Sequence, residues 1–204
     1  MSKVSVEYDI KEFRNIGSYE EFDEGFVLEL VDCIESAFDG NITPDDALKH
    51  ISGEQILVAT DSASETILGF AATSSHNPAE YFGISDLPDS NGLYLAGAAI
   101  RKEIQGLGLY SRLNRRRLQL ALDNNLDIIF TRTQNPRVQE GLTRLFDQLV
   151  SEEAIRSYVM GSVVCKSAYG HMLTGSIPTA RELQLDLDYQ AGDAVIITWT
   201  IEKI

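Results

Sequence analysis

The chain has 204 residues and a mass of 22.6 kDa, a length that favours one large domain and can bury a substantial core without metals or disulfides. Its 31 Asp and Glu outnumber 17 Lys and Arg, for a net charge of −14 and a pI near 4.5. That balance argues against nucleic acid as a partner, because phosphate contacts need surplus Lys and Arg, and against docking on anionic membranes.

Val4, Val6, Tyr8 and Ile10 alternate with polar residues and predict a first strand with one buried face. Phe26, Leu28, Leu30, Val31, Ile34 and Phe38 recur at helical spacing within Gly25 to Phe38, and Asp39-Gly40-Asn41 supplies a stop. Thr43-Pro44-Asp45-Asp46 opens a second short helix, since Thr caps and Pro suits a first turn. Ile56 to Thr60 and Thr66 to Thr73 form a hairpin across the turn Asp61-Ser62-Ala63-Ser64. Residues 76–92 carry loop chemistry, and a loop of that length inside a compact domain is often functional.

Leu93 to Ile100 is small and apolar throughout, as in a strand buried on both faces. Gly106 to Asn124 reads as a glycine turn followed by a helix with Leu109, Leu113, Leu120 and Ala121 inward. Asp127 to Thr133 is a strand, and Pro136 to Val150 a helix with Val138, Leu142, Leu145 and Leu149 on one face. Ser157 to Cys165 and Ala194 to Ile201 are the last strands, separated by a long insert at about 166–193 with a helix near Thr179 to Leu187. The fold class is therefore mixed α/β in a single domain over residues 1–204, and the stretch 93–133 can form a parallel crossover.

Cys33 and Cys165 lie far apart among apolar neighbours with no zinc-ligand spacing, so the expectation is two buried thiols in a reducing compartment and no metal. No apolar run reaches membrane-span length, and the charged, alternating N-terminus is unlike a signal peptide. A soluble cytoplasmic protein is expected.

The charge is uneven. Residues 1–62 hold 15 acids and 4 bases, whereas residues 101–118 hold six bases (Arg101, Lys102, Arg112, Arg115, Arg116, Arg117) and a single acid, Glu103. Such a run is either a solvated helix face or a local anion site. Within it, Gln105-Gly106-Leu107-Gly108-Leu109-Tyr110 follows a strand and opens a helix. Glycines let a backbone turn tightly and approach a ligand, and first-turn N–H groups lack helical partners and point at anions. Ser111 stands where a dinucleotide fingerprint needs its third small residue, and no Gly-Lys-Ser/Thr follows for a Walker A loop. A glycine turn needed only for packing is the competing explanation.

The stretch Ile100 to Leu113 resembles the acetyl-CoA-binding motif of the GCN5-related N-acetyltransferases, Val-x-Pro-x-x-Gln/Arg-Gly-x-Gly-x-Gly/Ala-x-x-Leu. Ile100, Gln105, Gly106, Gly108 and Leu113 match it, Asn135 matches a common Asn of the family, and the order of elements agrees. The resemblance implies an acyl-CoA N-acyltransferase fold with a central, mostly antiparallel mixed sheet flanked by helices. It implies acetyl-CoA as co-substrate, its pyrophosphate on the N–H groups of Gln105, Gly106, Leu107, Gly108, Leu109 and Tyr110. Ala98, Ala99 and Ile100 would pair with the pantetheine arm, the Ile100 N–H would face the thioester oxygen, and Asn135 would touch the cofactor. Arg101, Lys102 and Arg112 would approach the phosphates. The acceptor would be a small-molecule amine or a protein amine, and a homodimer is compatible with the family.

The sequence departs from the family pattern at Lys102, where Pro is common, and at Tyr110, where Gly or Ala is usual. The stretch 93–99 has no Glu, and Leu142 stands where a Tyr often serves as acid. Tyr94 is the substitute catalytic candidate, with His76, Glu80, Asp86, Tyr169-Gly170-His171, Asp186 and Asp188 as further titratable groups. An acetyltransferase acting by direct amine attack in a ternary complex is the leading function. A non-catalytic protein that retains the fold and binds CoA or a partner, and an unrelated phosphate-binding module, are the alternatives.

Overall fold

The computed structural model describes residues 7–14, 22–38, 42, 44–51, 53–169 and 187–204. Val4, Val6, Asp39-Gly40-Asn41, Thr43 and the helix expected near 179–187, up to residue 186, lie outside them. The elements run β1 (Tyr8–Arg14), α1 (Glu24–Ala37), α2 (Pro44–Ile51), β2 (Gln55–Asp61), β3 (Ile67–His76), α3 (Pro78–Phe82), β4 (Gly92–Ile100), α4 (Leu109–Asp123), β5 (Ile128–Thr133), α5 (Pro136–Ser151), β6 (Ser157–Cys165) and β7 (Ala194–Glu202). The seven strands form one sheet in the order β1-β2-β3-β4-β5-β7-β6. Pairs β1–β2, β2–β3, β5–β7 and β6–β7 are antiparallel, while β4 and β5 are parallel through the crossover helix α4. This is the mixed α/β class and the crossover that the sequence predicts.

Two elements differ from expectation. The first strand continues to Arg14, because backbone pairing with β2 runs unbroken from Tyr8↔Asp61 to Arg14↔Gln55 even where its side chains are charged. The expected 76–92 loop contains α3. The Asn77 side chain accepts the Glu80 N–H at 3.3 Å, Pro78 sits in the first turn, and Gly83 closes the helix at φ +65°. A helix of 5 residues is too short to show a periodicity, so only its caps were visible.

The chain divides into two compact units, Met1–Thr73 with Ala96–Leu113, and Ser74–Leu95 with Asn114–Ile204. In the first, α1 and α2 cover β2 and β3 through Leu30, Ile34, Ala47, Ile56 and Phe70. Asp23 caps α1 by accepting the Gly25 N–H at 2.9 Å. Leu28, counted on the inward face of that helix, is exposed. On the other face of the sheet, Leu57, Leu68, Ile100, Leu109 and Leu113 form a second cluster. Ala96 and Ala99 pack in the first cluster despite their odd spacing, whereas Ala98 and Ile100 pack in the second. The alternation of β4 therefore slips by one residue around Gly97, as a bulge would cause. Gly69 is required for packing, since a Cβ there would lie 2.5 Å from Ile100 Cδ1 and 2.9 Å from the Ala99 carbonyl.

The second unit packs α5 and the later turns of α4 on β4, β5 and β7, with Trp199 stacked on Phe146 at 5.3 Å. Both cysteines are free thiols; Cys165 is half-buried and not buried as expected, while burial pushes Cys33 up to about 12, which keeps it protonated and unreactive. No helix among the described residues is long and apolar enough to cross a membrane.

Asp193 organises one edge of this unit. Its carboxylate, 2% exposed, accepts from Lys166 Nζ at 2.7 Å, the Ser167 N–H at 2.9 Å and the Asp188 N–H at 3.0 Å, and its carbonyl accepts from Gln134 Nε2 at 3.0 Å. The residues on either side of the 170–186 stretch are thus tied to one acid. The Lys166 ammonium and the two backbone N–H groups hold its carboxyl at about 2, below the usual 3.8. A depressed carboxylate contributes stability that is present above the ordinary value and is lost as pH falls through the depressed one. Asp193→Asn should therefore lower Tm by several degrees at pH 7, and the gap from the unmodified protein should narrow between pH 3.8 and 2. Thermal unfolding across that range measures both, and a gap independent of pH would remove the carboxylate from the account.

Candidate functional site

In the first unit the chain leaves β4, makes a 3₁₀ turn over Lys102–Ile104, and enters α4 through Gly106 at φ +81° and Gly108 at φ +87°. A Cβ on either glycine would meet nothing within 4 Å. They are not packing glycines like Gly69. What they supply is the left-handed backbone, on an open side of the loop. Gln105 through Gly108 are all exposed, and the Leu107 side chain is 50% exposed.

The sequence points to a run of free N–H groups from Gln105 to Tyr110. The structure is more selective. The Gln105 N–H donates to the Lys102 carbonyl at 3.3 Å and the Leu107 N–H to the Ile104 carbonyl at 3.4 Å, so both are engaged within the turn. Gly106, Gly108, Leu109 and Ser111 keep N–H groups outside these bonds, and the first helical bond of α4 runs from the Arg112 N–H to the Gly108 carbonyl at 3.2 Å. Ser111 therefore joins the set, and Gln105 changes role: its side-chain amide donates to the Ile100 carbonyl at 2.9 Å and braces the loop against the end of β4. Leu109, 2% exposed, and Leu113 anchor the helix start in the core, while Tyr110, the bulk at the family's small position, is half-buried beside the same cluster. Ala98 is half-buried; Ala99 and Ile100 are buried on β4.

The basic stretch does not act as one patch. The Arg101 side chain, 12% exposed, donates to the Ile67 carbonyl at 2.5 Å and to Asp32 at 2.6 Å, so it clamps α1 to β3 and does not reach for phosphate. Arg112 remains exposed, its guanidinium 5.3 Å from the centre of the Tyr8 ring. In the second unit Arg115 pairs with Glu152, and Arg117, expected to be solvated, is 2% exposed and donates to Asn114.

The second unit holds the other candidates. Tyr94 is buried on β4 and stacks on Phe130 of β5 at 5.1 Å, with Tyr81 at 5.0 Å and Phe82 at 5.8 Å. His76 stacks on Tyr81 at 4.3 Å and lies 6.3 Å from Tyr94, so the structure does bring these candidates together. Burial pushes the Tyr94 hydroxyl well above its ordinary value, with Tyr169 and Tyr81 adding to the rise and Arg132 and Arg117 opposing it. Tyr94 therefore keeps its proton at neutral pH and is a weaker acid than a free phenol.

Asn135 caps α5, its side chain accepting the Arg137 N–H at 3.0 Å. Leu142 is buried in α5. Glu80 lies in the first turn of α3, Asp86 is exposed, and Asp188 caps a turn at the Ala191 N–H. Gly170, His171 and Asp186 lie outside the described residues. Sequence reasoning missed Arg132, half-buried on β5 between the rings of Tyr169 at 4.6 Å and Phe82 at 5.8 Å. Its signal was the alternation Ile128, Phe130, Arg132 along one strand face.

No protein-family model and no curated relative matches the sequence. Solved structures do. The chain is similar to the ribosomal-protein-S18-alanine N-acetyltransferase of Escherichia coli, at 10% identity over 97% of this chain and 96% of that one, with a TM-score of 0.54. It is similar to Naa20 of Chaetomium thermophilum, solved with a bisubstrate analogue, at 12% identity, 95% and 86% coverage and a TM-score of 0.56. A Desulfovibrio desulfuricans protein assigned to the GNAT family of acetyltransferases gives 18% identity, 96% and 99% coverage and a TM-score of 0.51.

The fold is that of the GCN5-related N-acetyltransferases. In that fold the resemblance places the glycine loop at the start of α4, where Gly106 and Gly108 are found.

Arg101 gives a stability prediction. Its bond to the Ile67 carbonyl is sheltered, whereas Asp32 is 65% exposed and adds little. Arg101→Met should lower stability by about 2 kcal/mol in urea unfolding, the scale of a charged hydrogen bond. Arg101→Lys should recover less than half, because one ammonium cannot reach both partners.

Proposed function

We propose that the protein is an acetyl-CoA-dependent N-acetyltransferase that moves the acetyl group to an amine by direct attack in a ternary complex. The observation that carries this proposal is the turn into α4. Two left-handed glycines with nothing against them leave the N–H groups of Gly106, Gly108, Leu109 and Ser111 unpaired at the positive end of a 15-residue helix, which suits a pyrophosphate. Arg112 adds an exposed cation four residues on. A packing role for these glycines, the competing explanation, has no contact to support it.

Acetyl-CoA, when bound, supplies an activated thioester. The chain's part is to hold it, to stabilise charge on the carbonyl oxygen, and to manage two protons. The N–H at the end of β4, at Ile100, is assigned the carbonyl oxygen, and Ala98 and Ala99 the pantetheine arm. The amine nitrogen must be neutral to attack; an amine with a pKa of about 10.4 is mostly charged at pH 7 and must lose a proton first. As the C–N bond forms and the C–S bond breaks, the departing thiolate takes a proton. Tyr94, which keeps its proton at neutral pH, is the donor we assign, and the proton shed by the attacking nitrogen replaces the one it gives.

A non-catalytic protein that keeps the fold is favoured by two observations: β4 offers no carboxylate, and Leu142 is buried where an acidic Tyr often stands. Release of free thiol from acetyl-CoA across a panel of amines separates the two, with calorimetry of CoA as the binding control. Binding and release together support the transferase; tight CoA binding without release from any amine supports its rival.

Gly108→Asp should weaken CoA binding by roughly tenfold or more, about 1.4 kcal/mol, because it sets a carboxylate against phosphate. Gly108→Ala adds the backbone strain alone and should cost less. Equal affinity for all three proteins would take the loop out of the site.

A further inference from the structure

We propose that Arg132 is a specificity residue that binds a carboxylate carried by the acceptor, so that the acceptors are amino-acid-like amines and not simple cations. This rests on the transferase proposed above and names the substrate class of that activity.

The first ground is an unmatched charge. Arg132 lies on β5, half-buried, and its Nε is buried without a hydrogen-bond partner. No carboxylate among the described residues forms an ion pair with it. A guanidinium withdrawn from water without a counter-ion is costly, and folds keep one where something else supplies the anion. The guanidinium carries its charge at neutral pH, as arginine does throughout the accessible range.

The second ground is geometry. The rings of Tyr169 and Phe82 lie against the guanidinium, and the Tyr169 hydroxyl donates to the Arg132 carbonyl at 3.0 Å, which fixes that ring. A guanidinium carries its N–H groups in one plane as a rigid fork. Two parallel N–H groups match the two oxygens of a carboxylate. Phe130, two residues earlier on the same strand face, stacks on Tyr94, so the fork sits in the cluster that holds the proton donor assigned above. Phe82 also bridges to Tyr81, whose ring is 48% exposed and opens the cluster to solvent. Apolar walls of this kind strengthen a charge pair formed between them. The same cation repels a second ammonium, which disfavours polyamines.

The test uses matched pairs that differ by one carboxylate: L-phenylalanine against 2-phenylethylamine, and L-leucine against 3-methylbutylamine. Saturation-transfer NMR on the full chain without acetyl-CoA reads binding, and thiol release reads turnover. The amino acid of each pair should bind roughly tenfold or more tightly. Arg132→Gln should abolish that preference while leaving CoA binding unchanged, and Arg132→Lys should retain part of it. The preference in the unmodified protein needs no variant, so a misfolded Arg132→Gln does not block the test. Equal or tighter binding of the decarboxylated amines, or no binding by any amino acid, overturns the proposal. Thiol release without carboxylate preference counts against Arg132 alone. Carboxylate preference without thiol release supports the Arg132 site and counts against the transferase.

Discussion

Between Ile100, where β4 ends, and Leu109, where α4 begins, the chain must change from a strand into a helix while both flanking residues stay in the core. Gly106 and Gly108 make this possible by taking φ values that other residues rarely adopt. Everything else at that end of the first unit follows. Leu109 and Leu113 point inward because the helix starts where it does, Gln105 can reach back to the Ile100 carbonyl, and the first N–H groups of α4 are left facing outward. An alanine at either glycine would not clash with anything; it would resist the turn.

The second unit is governed by a different constraint, the placement of buried polar groups. Asp193 is buried with three donors and a carbonyl bond to Gln134, so its charge is met on all sides. Tyr94 is buried among rings and keeps its proton. Arg132 is half-buried with rings beside it and no anion among the described residues. Three polar groups on neighbouring elements thus end in three different states, set by what each one meets.

The architecture was legible in the sequence because most elements carry strong periodicity. The α5 stripe of Leu142, Leu145 and Leu149 and the uninterrupted apolar run of β4 leave little choice of element. The glycine loop was legible because a GxG pair after a buried strand has a backbone meaning that does not depend on distant residues. The short helix α3 escaped because its caps, Asn77 and Gly83, look the same as loop residues until they are placed. The slip in β4 escaped because alanines and a glycine on both faces give no alternation to read. His76, Tyr94 and Tyr169 were legible one by one, but their grouping with Tyr81 and Phe130 escaped for a third reason: the five come from separate places in the chain, and only pairing of β4 with β5 brings Tyr94 opposite Phe130.

The arginines show why local charge in a sequence is a poor guide to a site. The run from 101 to 118 concentrates cations, yet a helix distributes consecutive residues around its axis. Arg115 reaches Glu152, Arg117 turns inward to Asn114, and Arg101 is held by the Ile67 carbonyl, while Lys102 and Arg112 are exposed and Arg116 is half-buried. Arg132 stands outside that run, alone on a strand of apolar and hydroxyl residues, and is drawn into a ring cluster with no acid beside it among the described residues. A cation's availability to a ligand depends on whether the fold has already given it an anion, and by that measure the isolated residue has more binding capacity left than most of the cluster. The net charge of −14 has the same defect at larger scale: it sums groups that are already neutralised with groups that are not.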